Sequence, residues 1–194
     1  SRNGDRDLAN PFDDGLNLEG RTGLDLKMGL GSNLTLDATI TPDFGQVEAD
    51  PAVVNLTDFE TLFPERRPFF TEGSALINGP VNNYFYSRRI GARPVGRAAG
   101  DYVDQPSSST ILGAAKLTGR LPSGTLIGVL AGVTGEENAN TFDVIPNVFD
   151  ETRVAPRTTY GVARVQQEFG SDGSSAGLMV TGVHRDVATG DPLA

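Results

Sequence analysis

The sequence predicts an all-β protein built as an antiparallel meander, and three observations carry that prediction. Apolar and polar residues alternate with a period of two along several segments of seven to twelve residues. Glycine is abundant, 24 residues of 194, and many of these glycines fall in turn-like runs between the alternating segments, a content too high for a compact helical domain. The longest relevant uncharged run, 121–135, contains Pro122 and several glycines, so it does not meet the ~20 mainly apolar residues of a membrane-crossing helix. Membrane crossing by strands, each about 9–11 residues, remains open.

The elements follow in chain order. Residues 1–21 are rich in Asp, Asn, Gly and Arg without sustained periodicity and read as a linker. Residues 23–41 read as a hairpin: Leu24, Leu26, Met28 and Leu30 alternate with Asp25, Lys27 and Gly29. Leu34, Leu36, Ala38 and Ile40 then alternate with Thr35, Asp37 and Thr39, and the run from Gly29 to Asn33 supplies the turn. From 42 to about 100 the alternation stops. This stretch is too long for a plain loop and reads as an ordered, plug-like insertion. A short helical turn is expected near Asn55 to Phe63, anchored by Phe59, Phe63, Phe69 and Phe70, and a short aromatic strand at Tyr84 to Gly91. Residues 101–109 read as a polar tip. Four further strands are expected within 110–187, with tight turns at 122–124 and 170–175 and a long acidic loop at 135–157.

The strand faces carry more information than their number. Ile111, Gly113, Ala115 and Leu117 alternate with Leu112, Ala114, Lys116, Thr118 and Arg120. Gly161, Ala163 and Val165 oppose Val162, Arg164 and Gln166, and Leu178, Val180 and Gly182 oppose Thr181, Val183 and Arg185. One face is small and apolar; the other carries charge at mid-strand. A soluble sandwich hides a bulky apolar face and shows its charges, whereas a barrel in lipid shows a modest apolar band and keeps charge in its lumen. Both alternate with period two. Small outward residues, strands of ten or more residues and short turns alternating with long loops favour the barrel.

Composition excludes several functions. With 16 Lys and Arg against 25 Asp and Glu, the formal charge is −9, which argues against a nucleic-acid partner. No cysteine is present, so disulfides and thiolate metal sites are excluded. Within this acidic chain, residues 61–100 form a basic island of arginines alone, Arg66, Arg67, Arg88, Arg89, Arg93 and Arg97, with only Glu65 and Glu72 against them. Arginine suits fixed, bidentate pairing with carboxylate or phosphate. Internal pairing is the plain reading of the island, and a site for an acidic glycan or lipid headgroup is its functional counterpart.

Residues 41–73 (TPDFGQVEADPAVVNLTDFETLFPERRPFFTEG), with Tyr86 to Gly91, the preceding hairpin and ILGAAKLTG, closely resemble a family of bacterial envelope proteins. These carry a conserved domain of unknown function (DUF5916) and are commonly labelled carbohydrate-binding family-nine domain proteins. The resemblance implies a larger protein: an N-terminal sugar-binding module, then this region, then an outer-membrane β-barrel with more strands. The chain would then be the beginning of that barrel, an excerpt rather than a whole protein.

Lys116, Arg164 and Arg185 are expected to face a lumen narrowed by Arg66, Arg67, Arg88 and Arg89, which would favour anionic solutes. Glu65 and Glu72, beside Arg66 and Arg67, read first as a salt-bridge network and second as a catalytic carboxylate pair. Asp43, Glu48 and Asp50 offer oxygen ligands for Ca²⁺, although their spacing fits no EF-hand, and no other cofactor is expected. Glu48 and Asp50 are a second candidate carboxylate pair. The single histidine, His184, lies in a strand with no nucleophile motif beside it and reads as a wall residue. Tyr84, Phe85 and Tyr86 are the only clustered aromatics for a sugar platform, and read more readily as core or interfacial girdle.

The expected function is a non-enzymatic outer-membrane barrel region in the bacterial envelope, linked by the resemblance to glycan or nutrient handling. Its expected partners are outer-membrane lipid, a glycan held by the absent N-terminal module, and the other subunits of a larger membrane complex. Two alternatives stand beside it: part of a carbohydrate-active hydrolase, and a soluble β-sandwich subunit of an envelope complex.

Overall fold

Strand pairing organises the chain into two antiparallel sheets, as seen in a computed structural model that describes residues 10–12, 22–42, 62–78, 84–170, 173–191 and 193. The larger sheet has six strands: β1 (Leu24–Leu30), β2 (Leu34–Ile40), β4 (Ile111–Arg120), β5 (Thr125–Thr134), β8 (Thr158–Phe169) and β9 (Ser174–Arg185), side by side in that order. The smaller sheet contains β3 (Tyr102–Asp104), β6 (Glu137–Asp143) and β7 (Val148–Ala155), with β6 in the middle. The protein is therefore all-β, as the alternation predicts. The hairpin and the four later long strands form where that alternation places them.

Connection lengths alternate regularly. The short links after Leu30, Arg120 and Phe169 leave one end of the large sheet, while the long links after Ile40 and Thr134 leave the other. The second long link is a finding, because 135–157 reads as a loop in sequence and yet forms the β6–β7 hairpin. Its central strand, ENANTFD, has no continuous apolar face, so the period-two signal is weak. It is held by an aromatic row instead, Tyr102 stacked on Phe142 at 6.4 Å and Phe142 beside Phe149 at 4.6 Å. β3 likewise occupies part of the expected polar tip.

The two faces of the large sheet differ sharply. Cross-strand register sets Lys27, Asp37, Lys116, Leu130, Val162 and Thr181 in one row of the first face. The neighbouring row, on the opposite face, is Met28, Leu36, Leu117, Val129, Ala163 and Val180. On the first, polar face lies the core: Phe70, Ile77 and Ile90 from the 62–90 segment pack with Ile111, Ala114, Leu130 and Val162. Burying each of those three insertion side chains stabilises by about 1.5–3 kcal/mol. The opposite, apolar face is open, with Leu24, Leu26, Met28, Leu30, Ile40, Val129, Val165, Leu178 and Val180 all exposed.

One face assignment is corrected. Ile111 is expected beside Gly113, but the register shifts between these two residues, a β-bulge at Leu112. The extra residue turns Ile111 onto the polar face, where it is 6% exposed, and leaves Leu112 outward. A bulge has no compositional mark.

The insertion is also built differently in detail. Leu62 and Phe63 are irregular, and the remainder of the expected helix near Asn55 to Phe63 lies outside the described residues. Helical turns form instead at α1 (Pro68–Thr71) and α2 (Ser74–Asn78). Pro68 opens α1, where its missing N–H costs nothing. Gly73, at φ +65°, then reverses the chain after Glu72 in the left-handed conformation that glycine adopts without penalty. The expected strand at Tyr84 to Gly91 is a 3₁₀ turn over Ser87–Arg89. Its aromatic alternation reflects plug packing: Phe85 lies against the core, and the Phe63 backbone N–H donates to Tyr86 Oη at 3.0 Å.

Candidate functional site

The chemistry concentrates where the 62–90 segment meets the polar face. Lys116 lies mid-strand in β4 and is 1% exposed. Its Nζ donates to the carbonyls of Phe69 and Glu72, both at 2.7 Å, sits 3.4 Å from Asp37 Oδ2 and lies 4.9 Å from the centre of the Phe69 ring. Those carbonyls are at the C-terminal end of α1, where helical carbonyls lack intrahelical donors, so a wall lysine supplies the missing hydrogen bonds. Arg164 of β8 serves α2 in the same way, with Nη1 donating to Leu76 O at 3.1 Å, while Nη2 donates to Gln166.

Close approach of backbone to backbone makes this seating possible. A Cβ on Gly128 of β5 would stand 2.5 Å from Leu76 O, so α2 rests on a bare stretch of strand. Glycine here is a docking surface.

Beside α1 the charges continue across the hairpin. Lys27, Asp37 and Lys116 form a cross-strand ladder of alternating sign, and Lys27 Nζ also meets Glu72 Oε2 at 2.5 Å. Together with Asp25, Pro68 and Phe69 they line a cavity of about 470 Å³ between the hairpin and α1. The hydrogen bond and charge of Lys27 hold the Glu72 carboxyl below its ordinary value.

Glu65 and Arg67 form a second, more enclosed node. The guanidinium engages the carboxylate through two bonds, Nε to Oε1 at 2.8 Å and Nη2 to Oε2 at 2.7 Å. The same arginine donates to the carbonyls of Ile90 and Ser87, Ser87 Oγ donates to Glu65 Oε2, and the guanidinium carbon lies 4.2 Å from the centre of the Phe70 ring. These bonds curl the chain at Ser87–Arg89, which is why no strand forms there. Burial alone pushes the Glu65 carboxyl up, but the Arg67 and Ser87 hydrogen bonds and the Arg67 charge outweigh it, and the carboxyl is held below its ordinary value.

The arrangement decides what these groups can do chemically. Glycoside hydrolysis needs one carboxyl kept protonated by a raised pKa. Glu65 and Glu72 are both ion-paired and both lowered, so neither supplies that acid. Of the arginines, Arg88 donates to Pro64 O at 2.9 Å, and the Arg66 backbone N–H meets Glu65. Arg89 and Arg185 are exposed on the polar side. Asp43, Glu48 and Asp50 lie outside the described residues. Sequence reasoning missed Asp37, Lys27 and Ser87. The first two were findable, as charged residues facing the polar side of amphipathic strands that must pair with β4, whereas Ser87 has no sequence signal.

Residues 7–192 match the family model described as Domain of unknown function (DUF5916), and the chain belongs to this family. No curated protein and no solved structure matches the chain.

Proposed function

We propose that the six-stranded sheet is part of the wall of an outer-membrane β-barrel in the bacterial envelope, with its apolar face toward lipid and the 62–90 segment seated in the lumen. The observation that carries this reading is the inversion of burial across the sheet. Lys116, Asp37, Thr39 and Thr118 are covered, while Leu24, Leu26, Leu178 and Val180 are exposed. Continuous exposed apolar surface marks a membrane or partner interface.

Dimensions agree with lipid. Along β8 the apolar rows of Gly161, Ala163 and Val165 lie between two polar boundaries, the row of Thr125 and Gln167 and the row of Thr159 and His184. The eight-residue interval between the boundaries spans about 26 Å at ~3.3 Å per residue, or roughly 20 Å at a strand tilt of ~40°, an upper bound on the apolar band set against the ~25 Å of outer-membrane barrels. Short links at one end and long ones at the other match their short periplasmic turns and longer outer loops. β1 and β9 are edge strands, so closure would come from further strands. No helix among the described residues is long and apolar enough to cross a membrane, which says nothing of strands.

The resemblance adds glycan or nutrient handling at the surface, with a sugar ligand belonging to a separate module and other membrane subunits as partners. The test is extraction. The intact protein should remain with the membrane fraction through alkaline carbonate and urea washes and leave it only in detergent. Release without detergent would contradict the barrel and point to a soluble sandwich subunit.

A further inference from the structure

The direction of β1 bears on which side of a membrane the chain enters the sheet from. β1 leads into the short link after Leu30, so Leu24, where it begins, stands at the end from which the long links leave. In outer-membrane barrels the short turns are periplasmic and the long loops face outward. A first strand that starts on the periplasmic side is followed by a long outer loop. Here the first link is a short turn, the opposite parity, and two contacts show what the residues ahead of β1 meet at that end.

The first contact is at the rim of the large sheet. Thr41 Oγ1 donates to Thr22 O at 2.8 Å, and a Cβ on Gly23 would stand 2.8 Å from Thr41 O, so the residues entering β1 lie against the start of the long link after Ile40. The second contact is with the small sheet. The Phe12 N–H donates to Asn10 Oδ1 at 3.0 Å, an Asx-type turn across Pro11. The Phe12 ring then meets Phe149 of β7 edge-on, with centroids 6.0 Å apart and planes at 83°, the favoured T-shaped geometry of an aromatic pair. Tyr102, Phe142 and Phe149 are direct cross-strand partners, so register fixes their row across β3, β6 and β7. Phe12 adds a fourth ring to that row from a distant part of the chain.

We propose that the aromatic row of the small sheet is an anchoring surface for this chain's own N-terminal segment, with Phe12 as the anchor, and that it holds the approach to β1 on the outer face of the membrane. β6 and β7 are built from the long link after Thr134, and Thr41 opens the long link after Ile40, so both contacts fall on elements of the same end. The inference rests on the barrel reading. It adds the side from which the chain enters the wall and the surface that keeps it there.

Cysteine labelling of intact cells tests it, using the intact protein with cysteines elsewhere removed and a polyethylene-glycol maleimide too large to cross the outer membrane. Pro11→Cys and Ile145→Cys, the latter at the tip of the β6–β7 hairpin and 89% exposed, should label in intact cells. Ser123→Cys, in the short link after Arg120, should label only once the outer membrane is permeabilised. In the Pro11→Cys protein, Phe12→Ala should raise the labelling rate at least about twofold, Phe149→Ala should do the same, and the double variant should go no further than the larger single effect. Phe12→Ala should leave the rate at position 145 unchanged. Labelling at 123 but not at 11 and 145 would overturn the sidedness while leaving the barrel standing, and labelling at 145 without 11 would overturn the shared side. An unchanged rate in Phe12→Ala, additive effects of the two alanines, or an equal rise at 145 would overturn the anchor. Labelling of all three positions in intact cells, or of none until permeabilisation, would remove the barrel reading as well.

Discussion

Lys116 is 1% exposed on one face of the sheet, while Leu178, on the other, is 70% exposed. Both lie on long strands of the same sheet. On the polar face every well-covered charge has a stated partner: Lys116 has Asp37 and two carbonyls, Arg67 has Glu65. On the apolar face no element among the described residues covers the central rows. The contrast teaches that burial here is set by the 62–90 segment rather than by hydrophobicity, the pattern on which the proposed wall between lipid and a plugged lumen rests.

The largest effect that would break this contrast comes from Lys116→Met. It leaves the Asp37 carboxylate with only Lys27, at 3.9 Å, and the carbonyls of Phe69 and Glu72 without their donor, so we expect a loss of about 3–5 kcal/mol in urea unfolding of the detergent-solubilised protein. Earlier proteolytic cutting within 62–90 should accompany it. Next is Val180→Arg at mid-band on the apolar face, expected to cost about 2–4 kcal/mol in lipid vesicles, against little for Thr181→Arg one residue away on the polar face. Equal costs for the two would erase the distinction between faces.

Smaller changes sharpen it. Gly128→Ala forces a methyl against Leu76 O and should cost about 1–3 kcal/mol while loosening α2, read as increased protease access near Ser74–Asn78. The pH dependence follows from Glu65. Its folded carboxyl titrates below the ordinary 4.5, so the pair's contribution is complete above that value and is lost as pH falls through the folded value. Protease access to 62–90 should therefore rise as pH falls below about 4.5, and Glu65→Gln should flatten that rise. Gly161→Ala, with nothing within 4 Å of the new methyl, should change unfolding free energy by less than about 0.5 kcal/mol.

Much of the fold was legible because amphipathic strands announce themselves. Leu24 to Leu30 and Leu34 to Ile40 each alternate without interruption, and the four long strands carry the same signature. β6 did not, since Asn138, Ala139, Asn140 and Thr141 form a strand by pairing and aromatic stacking rather than by an apolar face. Ile111 was misplaced because one bulged residue inverts everything before it. The aromatic run at Tyr84 to Tyr86 has strand-like alternation, yet the Arg67 bonds to Ser87 O and Ile90 O fold it into a turn. Of the site, the charged residues were visible but their partners were not. An arginine or lysine bonded to a carbonyl forty or more residues away leaves no trace in spacing.

The central claim is that the apolar face meets lipid. The most direct measurement places a single cysteine-linked fluorophore at position 180 or 181 of the intact protein, with cysteines elsewhere removed, reconstituted into vesicles containing lipids brominated along their acyl chains. Strong quenching at 180 with little at 181 is the predicted result. Equal quenching at both positions, or none at 180, would contradict it.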